Sequence, residues 1–240
     1  MALAGMGIGN GPGFRESGEK LVLKRISKKY SINTIFDVGA HRGNYAKMLC
    51  EIFPESSIYC FEPNPQTFAE LNSKINSQFV SKYNFGFSEK AGEELLYDFN
   101  DRNGTAFASL HKKIFTDIYK RDIKTFSVQL EVLDAFLEKN KIETIDFLKI
   151  DTEGNDFNVL LGAKNALKNK AIKIIQFEFN ETYIYSGAFI KDFKNLFKDY
   201  NLYRILTHGI IPLEFKKPVD YEIFLFQNIL AIQKENDKLK

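Results

Sequence analysis

Between residues 34 and 179, short apolar runs alternate with stretches whose apolar residues recur at helical spacing, and each run ends on polar or small residues. "TIFDV" (34–38) precedes a stripe of Met48, Leu49, Ile52 and Phe53 that Pro54 closes. "IYCFEP" (58–63) leads into Asn64, a good helix cap, with Pro65 at the first helical position and Phe68, Leu71 and Ile75 on the buried face. "YNFGFSE" (83–89) is a third strand. A helix over 131–140 (Val132, Leu133, Phe136, Leu137) precedes "TIDFLKID" (144–151), and one carrying Phe157, Leu160, Leu161 and Leu167 follows it. "AIKIIQFEF" (171–179) is apolar apart from Lys173, Gln176 and Glu178, as expected of a central strand buried on both faces. This rhythm predicts an α/β fold, a mostly parallel sheet with helices on both faces.

Around that frame, Leu21, Val22 and Ile26 predict a short amphipathic helix between Ser17 and Tyr30, over the sheet's edge or the entrance of a ligand site. "KAGEELLYDF" (90–99) reads as a turn and a returning strand, and the polar stretch after it makes residues 97–127 a candidate substrate lid or insertion. Phe189, Phe193, Leu196, Phe197 and Tyr200 predict a strong helix, and "LYRIL" (202–206) and "YEIFLFQNILAI" (221–232) predict strands that pair antiparallel. No repeat or linker divides residues 15–240, so a single domain is expected. With 44% hydrophobic residues in 240 it can bury a sizeable core.

Lys and Arg total 33 against 31 Asp and Glu, a net charge of +2, so charge alone implies no nucleic-acid or membrane partner. No apolar stretch reaches the ~18 residues of a membrane span, and the N-terminus lacks the basic and apolar regions of a signal peptide. Its glycines, 5, 7, 9, 11 and 13, follow no strand; residues 1–14 are expected to be a disordered lead-in or a cloning remnant. Cys50 and Cys60 are spaced unlike a metal or redox motif, as buried free thiols of a reducing, cytoplasmic compartment would be.

In such sheets ligands bind at the carboxyl ends of the strands, which here carry "DVGAHRG", "FEPN", "GFSE", "KIDTEG" and "FEFN". Gly39 and Gly43 allow a tight turn and a close backbone approach, and the N–H groups opening the next helix suit an anionic group. A dinucleotide fingerprint would need glycine where His41 stands. Glu62 ends the second strand where a ribose diol would lie and can accept from two hydroxyls at once; the alternative is a partner for the helix cap.

The segments "DVGAHRGNYA", "FEPNPQTFAELNSKI", "NFGFSEKAGEELLY", "LEVLDAFLEKNKIETIDFLKIDTEGNDFNVLLGA" and "FQNILAI" resemble the FkbM family of S-adenosylmethionine-dependent methyltransferases over about residues 31–232. The resemblance implies a seven-stranded class I methyltransferase sheet with the last strand antiparallel. It implies O-methylation of a hydroxyl on a sugar, polysaccharide precursor or other small molecule. It also implies that Asp37, Gly39, Ala40 and Gly43 surround the methionine part of the cofactor, that Glu62 and Pro63 hold the ribose, and that Phe87 and Ser88 lie near the adenine. Asp151 would sit beside the sulfonium or the acceptor. The cofactor has no phosphate, consistent with His41, and its sulfonium favours carboxylates (Asp37, Asp151) and an aromatic face (Tyr45).

Methyl transfer to a hydroxyl gains from a general base, for which Asp151, Glu153, Glu178 and His208 are candidates. Asp151, Glu178 and Asn180 also form an oxygen-ligand set that fits Mg²⁺, a less favoured route to the same end. Arg102, His111, Lys112, Lys113, Lys120, Arg121 and Lys124 lie among Phe107, Phe115 and Tyr119, either as a lid for an acidic or phosphorylated acceptor or as a solvated face. A nicotinamide-dependent oxidoreductase and a non-catalytic binding module of the same fold are the alternatives.

Overall fold

A computed structural model describes residues 5–9, 17–101 and 104–239. Its main sheet has eight strands in the order β10-β9-β11-β8-β7-β1-β2-β3. These are β1 (Thr34–Val38), β2 (Ser57–Phe61), β3 (Val80–Tyr83), β7 (Ile145–Ile150), β8 (Ile172–Phe179), β9 (Tyr200–Leu206), β10 (Gly209–Pro212) and β11 (Gln227–Gln233). β11 runs antiparallel to both β8 and β9, so the seven-stranded sheet with an antiparallel last strand is present; β10 adds an eighth at the edge.

Residue parity sorts the core onto two faces, because successive side chains of a strand point to opposite sides. Phe36, Leu148 and Ile175 pack under α4 (Leu133–Asn140), α5 (Asp156–Leu161), α6 (Lys164–Lys168) and α8 (Ile190–Leu196), beside the short α7 (Tyr183–Ser186). Ile35, Phe147 and Ile174 pack under α1 (Glu19–Lys29) and α2 (Asn44–Ile52). Thus α1 covers a face of the sheet through Val22, Leu23 and Ile26 rather than merely its edge. α3 (Pro65–Lys74) begins as its sequence predicts, with the Asn64 side chain accepting from the Gln66 N–H.

Several elements differ from the sequence expectation for identifiable reasons. The third strand splits where the Asn84 side chain donates to the Glu62 carbonyl at 2.9 Å. Beyond it, β4 (Gly86–Phe87) joins β5 (Gly92–Phe99) and β6 (Ile123–Glu131) in a separate sheet of order β4-β6-β5. The candidate lid therefore contains strand ends and a π-helical turn, Ile114–Tyr119. The helix expected over 157–167 breaks at Gly162, where a Cβ would lie 2.3 Å from the Ser88 carbonyl. The helix after β8 stops at Leu196, and Tyr200 already begins β9.

Of the expected lead-in, residues 1–4 and 10–14 lie outside the described residues. Residues 5–9 are seated on the domain: Ile8 is 1% exposed and the Gly9 N–H donates to the Phe226 carbonyl at 2.7 Å. Gly7 makes this possible, since a Cβ there would fall 2.4 Å from the Ile205 carbonyl. Cys50 is half-buried and Cys60 buried, and both are free thiols. Among the described residues no helix is long and apolar enough to cross a membrane.

Asp146 ties the amino-terminal edge of the sheet together. Its Oδ2 accepts from the Asn33 and Thr34 N–H groups at 2.8 and 3.0 Å, and its Oδ1 pairs with Lys173 at 2.6 Å. Asp146→Ala leaves both N–H groups unanswered, so urea unfolding is expected to show a loss of about 2–4 kcal/mol, with Asp146→Asn recovering part of it.

Candidate active site

Strand register builds the site. Val38 pairs with Phe61 on one side and Ile150 on the other, and Ile150 pairs with Phe177. The next residue on each strand therefore falls in one row along the carboxyl edge: Glu62, Gly39, Asp151 and Glu178. All four line a cavity of about 630 Å³. Ala40, Tyr45, Pro63 and Phe87 line it too, as does Asn44, which opens α2 and turns that helix's positive end toward the cavity.

Two residues earlier on the same strands, and hence on the same face, Asp37, Lys149 and Gln176 stand side by side. Lys149 donates to Asp151 Oδ2 at 2.9 Å, and its ammonium lies 4.8 Å from the centre of the Tyr45 ring. Burial alone would lower the Lys149 pKa, but Asp151, Asp37 and Glu19 together raise it, so it stays charged. Tyr45 donates to Gln176 Oε1 at 2.9 Å, Gln176 donates to Glu19 Oε1 at 2.6 Å, and Ser17 donates to Glu19 Oε2 at 2.7 Å. Burial raises the Glu19 pKa.

The expected cofactor residues sort by position. Glu62 accepts from the His41 N–H at 2.8 Å through Oε2 and from the Asn64 N–H at 2.9 Å through Oε1. It thus serves the helix entry as well as facing the cavity, and burial pushes its pKa up to about 7. Asp37 lies beneath the lining, not in it; both its oxygens are buried without a hydrogen-bond partner, and burial pushes its pKa up to about 6.

Gly39 (φ +82°) makes its close approach to protein, since a Cβ would fall 1.8 Å from the Asp151 carbonyl. Gly43 (φ +78°) is off the cavity and is fixed by packing, where a Cβ would meet Leu71 at 2.8 Å and Ile75 at 2.9 Å. Ser88 is also off the lining, because its N–H is drawn to the Glu131 carbonyl at 3.0 Å beyond the β4–β6 pairing. The Phe87 carbonyl accepts from Asn155, another lining residue, at 2.9 Å. One face of Tyr45 is taken by Lys149.

Beyond Asp151, the cavity widens among carboxylates. Oxygens of Asp151, Glu153 and Glu178 lie within 4.8 Å of one another. Burial, reinforced by Asp151, raises the Glu153 and Glu178 pKa values well above the usual carboxylate range. Glu153 thereby takes the place expected of Asn180 in a metal-ligand set. The Asn180 Oδ1 accepts from the Thr182 N–H and hydroxyl at 2.8 and 2.7 Å, while its amide donates to Glu178 at 2.6 Å. His208 is exposed in the β9–β10 turn and does not line the cavity, so it is no candidate base here.

Phe107 and Tyr119 line the cavity, but the described cations of the same stretch do not. Lys112, Lys113 and Lys120 are exposed, Arg121 pairs with Asp101, and Lys124 donates to Gln66; Arg102 lies outside the described residues. His111 is half-buried with Nε2 unpartnered. Sequence reasoning missed Glu19, Lys149 and Gln176, although charged or amide residues inside the apolar runs "IDFLKI" and "IKIIQFEF" were a usable signal. It also missed the wall made by Phe224, Leu225, Phe226 and Gly9.

The residues present fit S-adenosylmethionine. Asp37, Glu19 and Asp151 outnumber Lys149 beside the turn, and the orphaned Asp37 oxygens leave negative charge for a cationic ligand. Glu62 would hold the ribose and the start of α2 the carboxylate. A pyrophosphate finds no glycine at position 41, where His41 instead spends its N–H on Glu62. The chain is a methyltransferase of the S-adenosylmethionine-dependent class. Residues 37–236 match the Methyltransferase FkbM domain, and the chain belongs to that family.

Among its relatives, the hexuronic acid methyltransferase AglP of Haloferax volcanii is 27% identical over 193 residues, covering 79% of this chain and 72% of that protein. The 2-O-methyltransferase NoeI of Sinorhizobium fredii is 24% identical over 164 residues, covering 64% and 65%. A solved structure, methyltransferase FkbM from Methylobacillus flagellatus, aligns with a TM-score of 0.47 at 11% identity, over 83% of this chain and 43% of that one.

Glu62 titrates from about 7 in the fold against an ordinary 4.5. Between those values the folded protein holds a proton that the unfolded chain has lost, so this group's stabilising contribution falls as pH rises through that window. Ligand hydroxyls donate best to the ionised form. Calorimetry with S-adenosylhomocysteine is therefore expected to show affinity rising from pH 5 to 8. Glu62→Gln should flatten that rise and Glu62→Ala should cost about 10- to 100-fold in affinity.

Proposed function

We propose that this enzyme methylates a hydroxyl group of a sugar or sugar-containing precursor, with Glu178 as the general base. The observation that carries this reading is the position of Glu178 at the end of the strand-edge row Glu62, Gly39, Asp151 and Glu178, with Glu153 beside it. When bound, S-adenosylmethionine supplies the electrophilic methyl group. The chain's own residues do the rest. Phe107, Tyr119 and Leu225 wall the acceptor end against water, and Asn180 and Glu153 orient Glu178 and the incoming hydroxyl.

On transfer of that methyl group, which would leave the cofactor as its neutral thioether, the hydroxyl proton would pass to a Glu178 oxygen. Burial and the neighbouring Asp151 raise the Glu178 pKa, which makes its carboxylate a stronger base than an ordinary one. Both relatives are named as methyltransferases, one acting on a hexuronic acid and one on a 2-hydroxyl. A metal-assisted route is less favoured, because Lys149 already places a cation on Asp151, one of the three carboxyl groups that would hold the ion.

Thermal unfolding with S-adenosylmethionine, its demethylated product and NAD tests the cofactor: the first two are expected to raise the midpoint and NAD to leave it unchanged. Glu178→Gln is expected to lower kcat by about 10²–10⁴-fold with cofactor affinity retained. Asp151→Asn should likewise lose more turnover than cofactor binding. Dialysis against EDTA should leave turnover unchanged, and a requirement for added Mg²⁺ would replace the base by a metal held among Asp151, Glu153 and Glu178.

A further inference from the structure

We infer that the accepting sugar carries no carboxylate or phosphate: the acceptor end of the cavity selects a neutral or amino sugar and turns a uronic acid or sugar phosphate away. This rests on the sugar-hydroxyl reading above and specifies it. Glu153, Glu178 and Glu181 line that end around the Tyr119 hydroxyl, whose own pKa is raised to about 12 by burial and by these carboxylates. Among the described residues lining the whole cavity, Lys149 is the one ammonium or guanidinium, and it is bound to Asp151 with its side chain 6% exposed.

Described cations of the neighbouring stretch are turned outward by the fold. Arg121 lies 4.9 Å over the Phe99 ring and pairs with Asp101, while Lys112, Lys113 and Lys120 face solvent. That stretch lines the cavity with uncharged residues, among them the aromatic Phe107 and Tyr119, and Leu225 lines it too; Phe107 and Leu225 are 43% and 48% exposed. Aromatic faces receive the C–H side of a sugar ring, and carboxyl groups accept or donate to its hydroxyls and attract an ammonium. An acceptor carboxylate or phosphate there would face three carboxyl groups, with no free cation among the described residues that line the cavity.

The test uses matched pairs of methyl glycosides: glucoside with glucuronide, galactoside with galacturonide, glucoside with its 6-phosphate, and glucosaminide as the cationic member. Transfer of labelled methyl from S-adenosylmethionine is measured for each, and binding of the same glycosides to protein loaded with S-adenosylhomocysteine is measured by calorimetry. The neutral or amino member of each pair is expected to exceed the anionic one by about ten-fold or more in kcat/KM and in affinity. Glu181→Lys, an exposed change at the rim, should shrink that ratio without moving the unfolding midpoint.

Equal or better use of the uronides or phosphate, or a ratio untouched by Glu181→Lys, overturns the inference and leaves the sugar methyltransferase intact. If the cofactor binds but no glycoside of either kind is methylated or bound, the sugar acceptor itself is wrong, and the inference falls with it.

Discussion

The ammonium of Lys149 holds the centre of this site together. It sits on a strand buried on both faces, where an unpaired charge would be prohibitively costly, and it survives there because Asp151, Asp37 and Glu19 approach from three elements. Each of those carboxylates in turn depends on it. The Asp37 side-chain oxygens have no hydrogen-bond partner, and the Asp151 side chain is held at the strand end by the 2.9 Å contact. The ring of Tyr45 below the ammonium fixes the start of α2, and through Gln176 the same network reaches Glu19 at the start of α1. The helices that cover this face are thus indexed to the carboxyl edge by polar contacts as well as by packing.

That arrangement explains why the site residues and the supporting residues alternate along the strands. At the tip, Gly39, Asp151 and Glu178 face the cavity; two positions earlier Asp37, Lys149 and Gln176 form the layer beneath. A one-residue slip in any of the three strands would carry both layers to the opposite face and bury them among Phe36, Leu148 and Ile175. Register here is fixed by the apolar pattern, and the site inherits its geometry from that pattern.

The legible part of the molecule was the part written in local periodicity. "TIFDV" is β1 to the residue, Asn64 and Pro65 start α3 as their chemistry dictates, and the place of Glu62, Asp151 and Glu178 on the cavity wall was legible because all three directly follow the core of a strand. What stayed hidden depends on long-range contact. Gly43 looks like a ligand-loop glycine, yet its constraint comes from Leu71 and Ile75, nearly thirty residues or more away in the chain. The small sheet of β4, β5 and β6 joins segments with no common period, and Ser88 is lost to it. His208 looked available only because nothing local says on which side of the β9–β10 turn it emerges.

The two halves of the cavity obey different electrostatic logic. Near the turn, buried negative charge around one lysine favours a ligand that brings positive charge, which suits a sulfonium and an ammonium. At the acceptor end, carboxyl groups with raised pKa values sit against aromatic surface, so in the proposed mechanism they would share hydrogen bonds with hydroxyls while Glu178 takes up a proton. A base that close to a cationic methyl donor must not be neutralised by it. Lys149 supports that separation, since its charge answers Asp151 at the boundary, and Asp151 in turn is the carboxylate that, with burial, raises the pKa values of Glu178 and Glu153.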